Sequence, residues 1–172
     1  TEASEIESFA GEVVAFPSTA PLHELVSSRA HLHPDKTAAL FEGGELTYGE
    51  LDRRSTLLAH ELLSQYELVP DSAVGLCAER CHGMLIAMVA ILKAGCGYVP
   101  LDPHSPIERM GEIASESGMK IVVAVLRSKT SASLVFDSVS IVDVSANGKM
   151  VVNEQTAKRV ESGTPVECAV SV

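Results

Sequence analysis

The chain has no tryptophan, and aromatic residues make up only 4% of its 172 positions. A core of any size must therefore be aliphatic, built from leucine, valine, isoleucine, alanine and methionine. Basic residues are also scarce, with 13 lysines and arginines against 23 aspartates and glutamates and a formal charge of −10. That balance argues against a nucleic-acid partner, whose phosphates call for a basic surface. It argues equally against docking on an anionic membrane. Long hydrophobic runs are missing too. The longest, Met84 to Leu92, has nine residues and ends at Lys93, well short of the roughly 20 needed to span a bilayer. The first residues, Thr1 to Glu7, are acidic where a signal peptide would be basic. With four cysteines and no secretory signal, reduced thiols and a cytoplasmic location are the expectation.

What is present is an alternation of helix and strand signals. Residues 1–20 carry Gly11 and Pro17 with little periodicity and read as a linker; the domain is expected to occupy 21–172. A first helix is predicted from Pro21 to about Leu32, closed by Pro34. Thr37–Phe41 and Leu46-Thr47 flank a glycine turn and predict a hairpin. Thr47 and Glu50 have capping-box spacing, and Leu51, Ser55, Leu58 and Leu62 follow on one stripe. Val74–Cys77 reads as a buried strand and His82–Lys93 as a nearly all-apolar helix with Gly95 beyond its end. Cys96–Leu101 reads as a strand. Ser105-Pro106-Ile107-Glu108 predicts a second capping box with proline at the first helical position, and Gly118 stops that helix. Ile121–Leu126 and Val139–Val144 complete the strands, with a further strand start at Val166–Val172. Uninterrupted aliphatic strands separated by helices indicate βαβ units, hence an α/β fold with a mostly parallel sheet covered on both faces.

Two stretches resemble the adenylation domains of nonribosomal peptide synthetases. Leu46-Thr47-Tyr48-Gly49-Glu50-Leu51 is similar to that family's opening core motif, L-[TS]-Y-x-E-L. Leu92-Lys93-Ala94-Gly95-Cys96-Gly97-Tyr98-Val99-Pro100-Leu101-Asp102-Pro103 resembles its second, L-K-A-G-x-A-Y-V-P-L/I-D-P, departing at Gly97 where alanine is usual. The resemblance covers about residues 20–145. It implies an N-terminal portion of the adenylate-forming large domain, stopping before the phosphate-binding loop. It further implies that the complete domain uses Mg-ATP to convert an amino acid to an aminoacyl adenylate. The acyl group then passes to a carrier protein's phosphopantetheine thiol. Partners implied are the remainder of the domain and neighbouring condensation and carrier-protein domains, with the 1–20 stretch leading from an upstream condensation domain.

This chemistry needs a phosphate cradle, a cation and acidic groups for metal and ribose. The family supplies them from later motifs. Ser162-Gly163-Thr164-Pro165 lacks the full glycine-rich pattern of the phosphate loop. No catalytic, cofactor-binding or metal-binding residue is therefore assigned in this piece, and it is expected to be inactive alone. The motif residues are read as structural, with Lys93 complementing a helix C-terminal dipole, Gly95 giving a tight exit and Pro100 ending a strand. Cys77, Cys81 and His82 lack metal-site spacing, and His31 and His33, two apart, could join a site only through the fold. Two other classes of reading stand beside this one, a piece of an acyl-CoA synthetase-type ligase and a non-catalytic interaction module. A parallel sheet cut short would also leave an edge open to self-association.

Overall fold

The computed structural model describes residues 20–41, 44–125 and, as backbone, 140–143. In chain order these form α1 (Leu22–Leu32), β1 (Thr37–Phe41), β2 (Gly44–Thr47), α2 (Tyr48–Gln65), β3 (Ala73–Ala78), α3 (His82–Lys93), β4 (Gly97–Leu101), α4 (Ile107–Ser117), β5 (Ile121–Val125) and β6 (Ser140–Asp143). The linker assigned to residues 1–20, the polar loop after β5 and the terminal strand at Val166–Val172 lie outside the described residues, apart from Ala20.

β1 and β2 pair antiparallel as the expected hairpin, with an irregularity between Thr37 and Ala39. The other four strands form one parallel sheet in the order β4-β3-β5-β6. The order explains the layering. From β3 the chain moves one way to β4 through α3, then returns past β3 to β5 through α4. Right-handed crossovers taken in opposite directions place their helices on opposite faces. The burial pattern agrees. Val74 and Leu76 of β3 and Ile121, Val123 and Val125 of β5 pack with α2 and α3 through Leu58, Leu62, Ile86 and Ile91. The alternate residues Cys77, Val122 and Ala124 pack on the other side with Met110 and Ala114 of α4. This is the α/β architecture covered on both faces that the strand composition implies. The core is aliphatic, Leu58, Leu62, Ile86, Ile91, Val122 and Val123 being at most 1% exposed. Tyr66 is the one aromatic residue among the buried hydrophobics of the described residues.

Two helix starts differ from expectation. Thr47 caps α2 by accepting from the Glu50 amide at 3.2 Å, but the Glu50 carboxylate turns to Arg54 at 2.8 Å. The reciprocal arm of that capping box is thus replaced by an i,i+4 ion pair on the helix surface. At α4 the capping residue is Pro106, with no side-chain cap, and Ile107 opens the helix. Ser105 instead closes a turn, its amide donating to the Asp102 carbonyl at 3.0 Å. Proline, lacking an N–H and fixed in φ, serves as the boundary itself and displaces the serine one position outward.

Candidate functional site

The residues singled out by the two motifs fall at two junctions. At the first, Leu46 of β2 and Leu51 of α2 are buried in the larger core, while Thr47 caps α2 between them. The Tyr48 amide donates to the Lys36 carbonyl and the Gly49 amide to the Pro34 carbonyl, both at 2.9 Å. A Cβ on Gly49 would stand 3.2 Å from both Cβ and O of Pro34, so glycine lets this helix start press on the preceding turn. The first motif therefore fixes where the hairpin enters α2.

The second motif is the passage from α3 into β4 and out of it. Leu92 and Lys93 end α3, and Ala94 caps it, its amide donating to the Ala90 carbonyl at 2.9 Å. Gly95 takes φ +76°, the left-handed conformation expected after a helix end. Its carbonyl accepts from the Asp71 amide at 2.8 Å, and Asp71 is itself at φ +63°. Two reversals thus meet back to back, one ahead of β3 and one ahead of β4. Tyr98, Val99, Pro100 and Leu101 pair in register with Val74, Gly75, Leu76 and Cys77. Asp102 then makes a tight turn, its Oδ1 accepting from the His104 amide at 2.9 Å, and Pro103 lies within it.

Pro100 does not end its strand, contrary to the sequence reading. It sits inside β4, opposite Leu76. Proline is tolerated there because β4 is paired on one side only among the described residues. Gly97, where the related motif carries alanine, is exposed and is not at positive φ, and a Cβ added to it would meet nothing within 4 Å. Gly97→Ala is therefore expected to raise stability by about 0.5 kcal/mol through the entropy of the unfolded chain, measured as an upward shift of the urea midpoint. A fall in the midpoint would show that the strand start needs glycine.

Lys93 does more than complement a helix terminus. It crosses to α2, where its Nζ donates to the Asp52 carboxylate at 2.7 Å, the Asp52 carbonyl at 3.0 Å and the Thr56 hydroxyl at 2.7 Å. An ammonium has three donors, and here all three have an acceptor. The Lys93 side chain is 11% exposed and that of Asp52 32%. On the other side of the carboxylate, the Ser27 hydroxyl of α1 donates to the same Oδ1 at 2.5 Å. Burial pushes the Asp52 carboxyl up, but the hydrogen bonds from Lys93 and Ser27 and the lysine charge outweigh it and hold the group below its usual range. One polar cluster thus ties α1, α2 and α3 together and joins the second motif to the residue directly after the first. Sequence reasoning missed Ser27, Asp52 and Thr56. The Asp52–Thr56 spacing of four on a helix, and a lysine closing an otherwise apolar helix, were the available signals.

The carboxyl ends of β3 and β5 form a second candidate site, since doubly wound sheets bind ligands where successive crossovers diverge. Glu79, Arg80, Cys81 and His82 border it, and the Glu79 amide donates to the Val125 carbonyl at 3.0 Å. His82 stacks edge-on against Phe41 with ring centroids 6.2 Å apart. Cys77 lies beneath, wholly buried, and burial, with help from the Asp102 and Glu79 charges, pushes its thiol up to about 11. It is thus a packed side chain at neutral pH, without thiolate character. Among the described residues no three histidines, cysteines or carboxylates come together to hold a metal. Among the described residues neither junction brings a nucleophile together with a base or presents a phosphate cradle.

Comparison with known proteins agrees with this scaffold. The chain is 38% identical over 146 residues, 85% of its length, to a protein named nonribosomal peptide synthetase 8 from Aspergillus fumigatus. It spans only 2% of that relative. Among solved structures it is similar to NpsA-ThdA, an artificially fused adenylation-PCP di-domain from Klebsiella oxytoca. That likeness has a TM-score of 0.64 at 20% identity and covers 86% of this chain and 25% of that one. The N-terminal subdomain of Klebsiella oxytoca NpsA matches with a TM-score of 0.63 at 21% identity, covering 83% of this chain and 33% of that one. At such identities the structural likeness speaks for the fold, which is that of an adenylation domain's N-terminal subdomain. The family profile of the AMP-binding enzymes matches residues 26–169, and the chain belongs to that family.

Proposed function

We propose that this chain is an N-terminal part of an amino-acid-activating adenylation domain, working within a nonribosomal peptide synthetase. The observation that carries the reading is the pair of core motifs, within a stretch 38% identical to a peptide synthetase over 85% of the chain. The complete domain would bind Mg-ATP and an amino acid, form the aminoacyl adenylate and pyrophosphate, and load a carrier-protein thiol. Motif residues Leu46, Thr47, Tyr48, Glu50, Leu51, Leu92, Lys93, Ala94, Gly95, Tyr98, Val99, Pro100, Leu101, Asp102 and Pro103 then serve the scaffold, and the groups that handle ATP and magnesium come from elsewhere in the domain. The partners are the rest of that domain and adjoining condensation and carrier-protein domains, and the stretch 1–20 is a linker from an upstream condensation domain. Cys77, Cys81 and Cys96 are free thiols, which supports a cytoplasmic setting. No helix among the described residues is long and apolar enough to cross a membrane. The single-sided pairing of β4 among the described residues supports association through that edge, though Pro100 interrupts its donors.

Pyrophosphate exchange tests the proposal. This chain alone, given ATP, magnesium and a panel of amino acids, is expected to show no exchange above background, and turnover would refute the scaffold reading. The domain completed from its own reading frame should exchange with an amino acid. Exchange only with fatty or aryl acids would favour the acyl-CoA synthetase-type alternative.

A further inference from the structure

The proline within β4 lies on a definite side of the ladder. In a parallel sheet the amide and carbonyl of one residue point to the same neighbouring strand, and the direction alternates from residue to residue. Two bonds fix that alternation here. The Gly97 amide donates to the Ser72 carbonyl at 3.0 Å, so Gly97 faces β3, and with it Val99 and Leu101. The Glu79 amide donates to the Val125 carbonyl at 3.0 Å, so Gly75 and Cys77 face β5 while Val74 and Leu76 face β4. Tyr98 and Pro100 are then the positions of β4 whose backbone points away from β3.

That outer side is poor in donors. Just before the strand, the Cys96 amide is taken by the Ile91 carbonyl at the end of α3, 3.1 Å away. Just after it, the Asp102 carbonyl accepts from the Ser105 amide at 3.0 Å, and the edge closes into a turn. Between these, Pro100 has no N–H, which leaves Tyr98 as the one outward amide donor of Gly97–Leu101. At position 99 or 101 a proline would remove a bond to β3. At position 100 it removes none from the described sheet. Pro100 is also exposed, so its ring is not required by the core.

We propose that Pro100 guards the outer edge of β4, keeping a second copy of this chain from adding a strand there by withholding one of two outward donors. An edge strand is otherwise a template for another chain, and proline is one way to blunt it. A two-fold pair of copies would lose the bond twice, once from each chain. Two ordinary hydrogen bonds amount to about 30-fold in an association constant. Self-association along this edge is thereby held weak. This role follows from the sheet alone and is independent of the reaction the complete domain carries out.

Sedimentation equilibrium of the intact chain tests this, with Pro100→Val and Pro100→Ala beside the parent. Each variant restores the amide, but only valine adds a β-branched side chain that favours a strand. Both are expected to dimerise about 30-fold more tightly than the parent. Variants no tighter than the parent would overturn the proposal. So would tightening in Pro100→Val alone, since the side chain and not the amide would then be the cause. Amide exchange of the dilute parent gives a reading that needs no variant. The Tyr98 amide is expected to exchange on the order of 100-fold faster than those of Val99 and Leu101, which are bonded to β3. Equal protection at Tyr98 would mean that a strand is seated on this edge despite the proline, and the proposal would fall.

Discussion

Gly75→Ala is expected to destabilise this chain by about 2 kcal/mol, within the range measured for overpacked cores. Gly75 lies in β3 between Val99 of β4 and Val122 of β5. A Cβ there would stand 2.6 Å from Met119 Sδ, 2.7 Å from Val122 Cγ2 and 3.3 Å from Leu101 Cδ1. The methionine sulfur is the end of a flexible side chain and can swing away. Val122 has no such freedom, being β-branched, held in the neighbouring strand and fully buried. The chain must part β3 from β5 to make room. For a protein of this size the loss corresponds to a fall in Tm of roughly 4–8 °C. Calorimetry or a urea transition reads it directly, and a midpoint equal to that of the parent would show that the packing around Gly75 is looser than described. The double variant Gly75→Ala, Val122→Ala separates clash from backbone effects. If the clash with Cγ2 is the cause, the two changes will cost less together than their sum.

Lys93→Met keeps the aliphatic stem of Lys93 but removes the ammonium that bonds Asp52 and Thr56. The expected loss is about 2 kcal/mol, the scale of a hydrogen-bonded charge whose partner is left behind. The pH dependence gives a second reading. The Asp52 carboxyl is held below its ordinary value of 3.8 in the folded chain. Its contribution is therefore fully present above that value and disappears as the pH falls through the lower, folded one. In the parent, part of the acid sensitivity below about pH 4 should trace to this group. In Lys93→Met that part should shrink, while stability at neutral pH falls. Equal stability of both proteins from pH 3 to 7 would show that the cluster contributes nothing net, as exposed ion pairs often do. Its 11% exposure at Lys93 and its three acceptors argue otherwise.

Much of the scaffold could be read from residue order. Aliphatic runs without alternation imply strands buried on both faces, and β3 and β5 are such strands. The all-apolar helix His82–Lys93 and the glycines at 95 and 118 appear where expected, both glycines at positive φ. Local signals failed where two groups competed for one role. Glu50 had a choice between the Thr47 amide and Arg54, and the charged partner one turn on prevailed. Pro106 displaced Ser105 as the helix boundary because its ring fixes φ without needing a cap. Pro100 could remain within a strand because of that strand's position at an edge of the described sheet, which no local pattern reveals.

The candidate site divides in the same way. Two short motifs identify the lineage, because their turn, cap and glycine positions are local requirements written in consecutive residues. How those motifs serve the protein depends on contacts between residues 25 to 41 positions apart, such as Ser27 with Asp52 and Asp52 with Lys93. Hydrophobic periodicity says which face of a helix is buried, but not which polar group on a second helix will meet a lysine there. The order of the strands and the register of their crossovers settle that. By itself, then, the sequence determined the elements, the fold class and the family, all consequences of local pattern. Only the tertiary structure decided that Lys93 and Asp52 sit in a cluster joining three helices and that Gly75 leaves the room that Met119 and Val122 fill, because both depend on which faces are brought together.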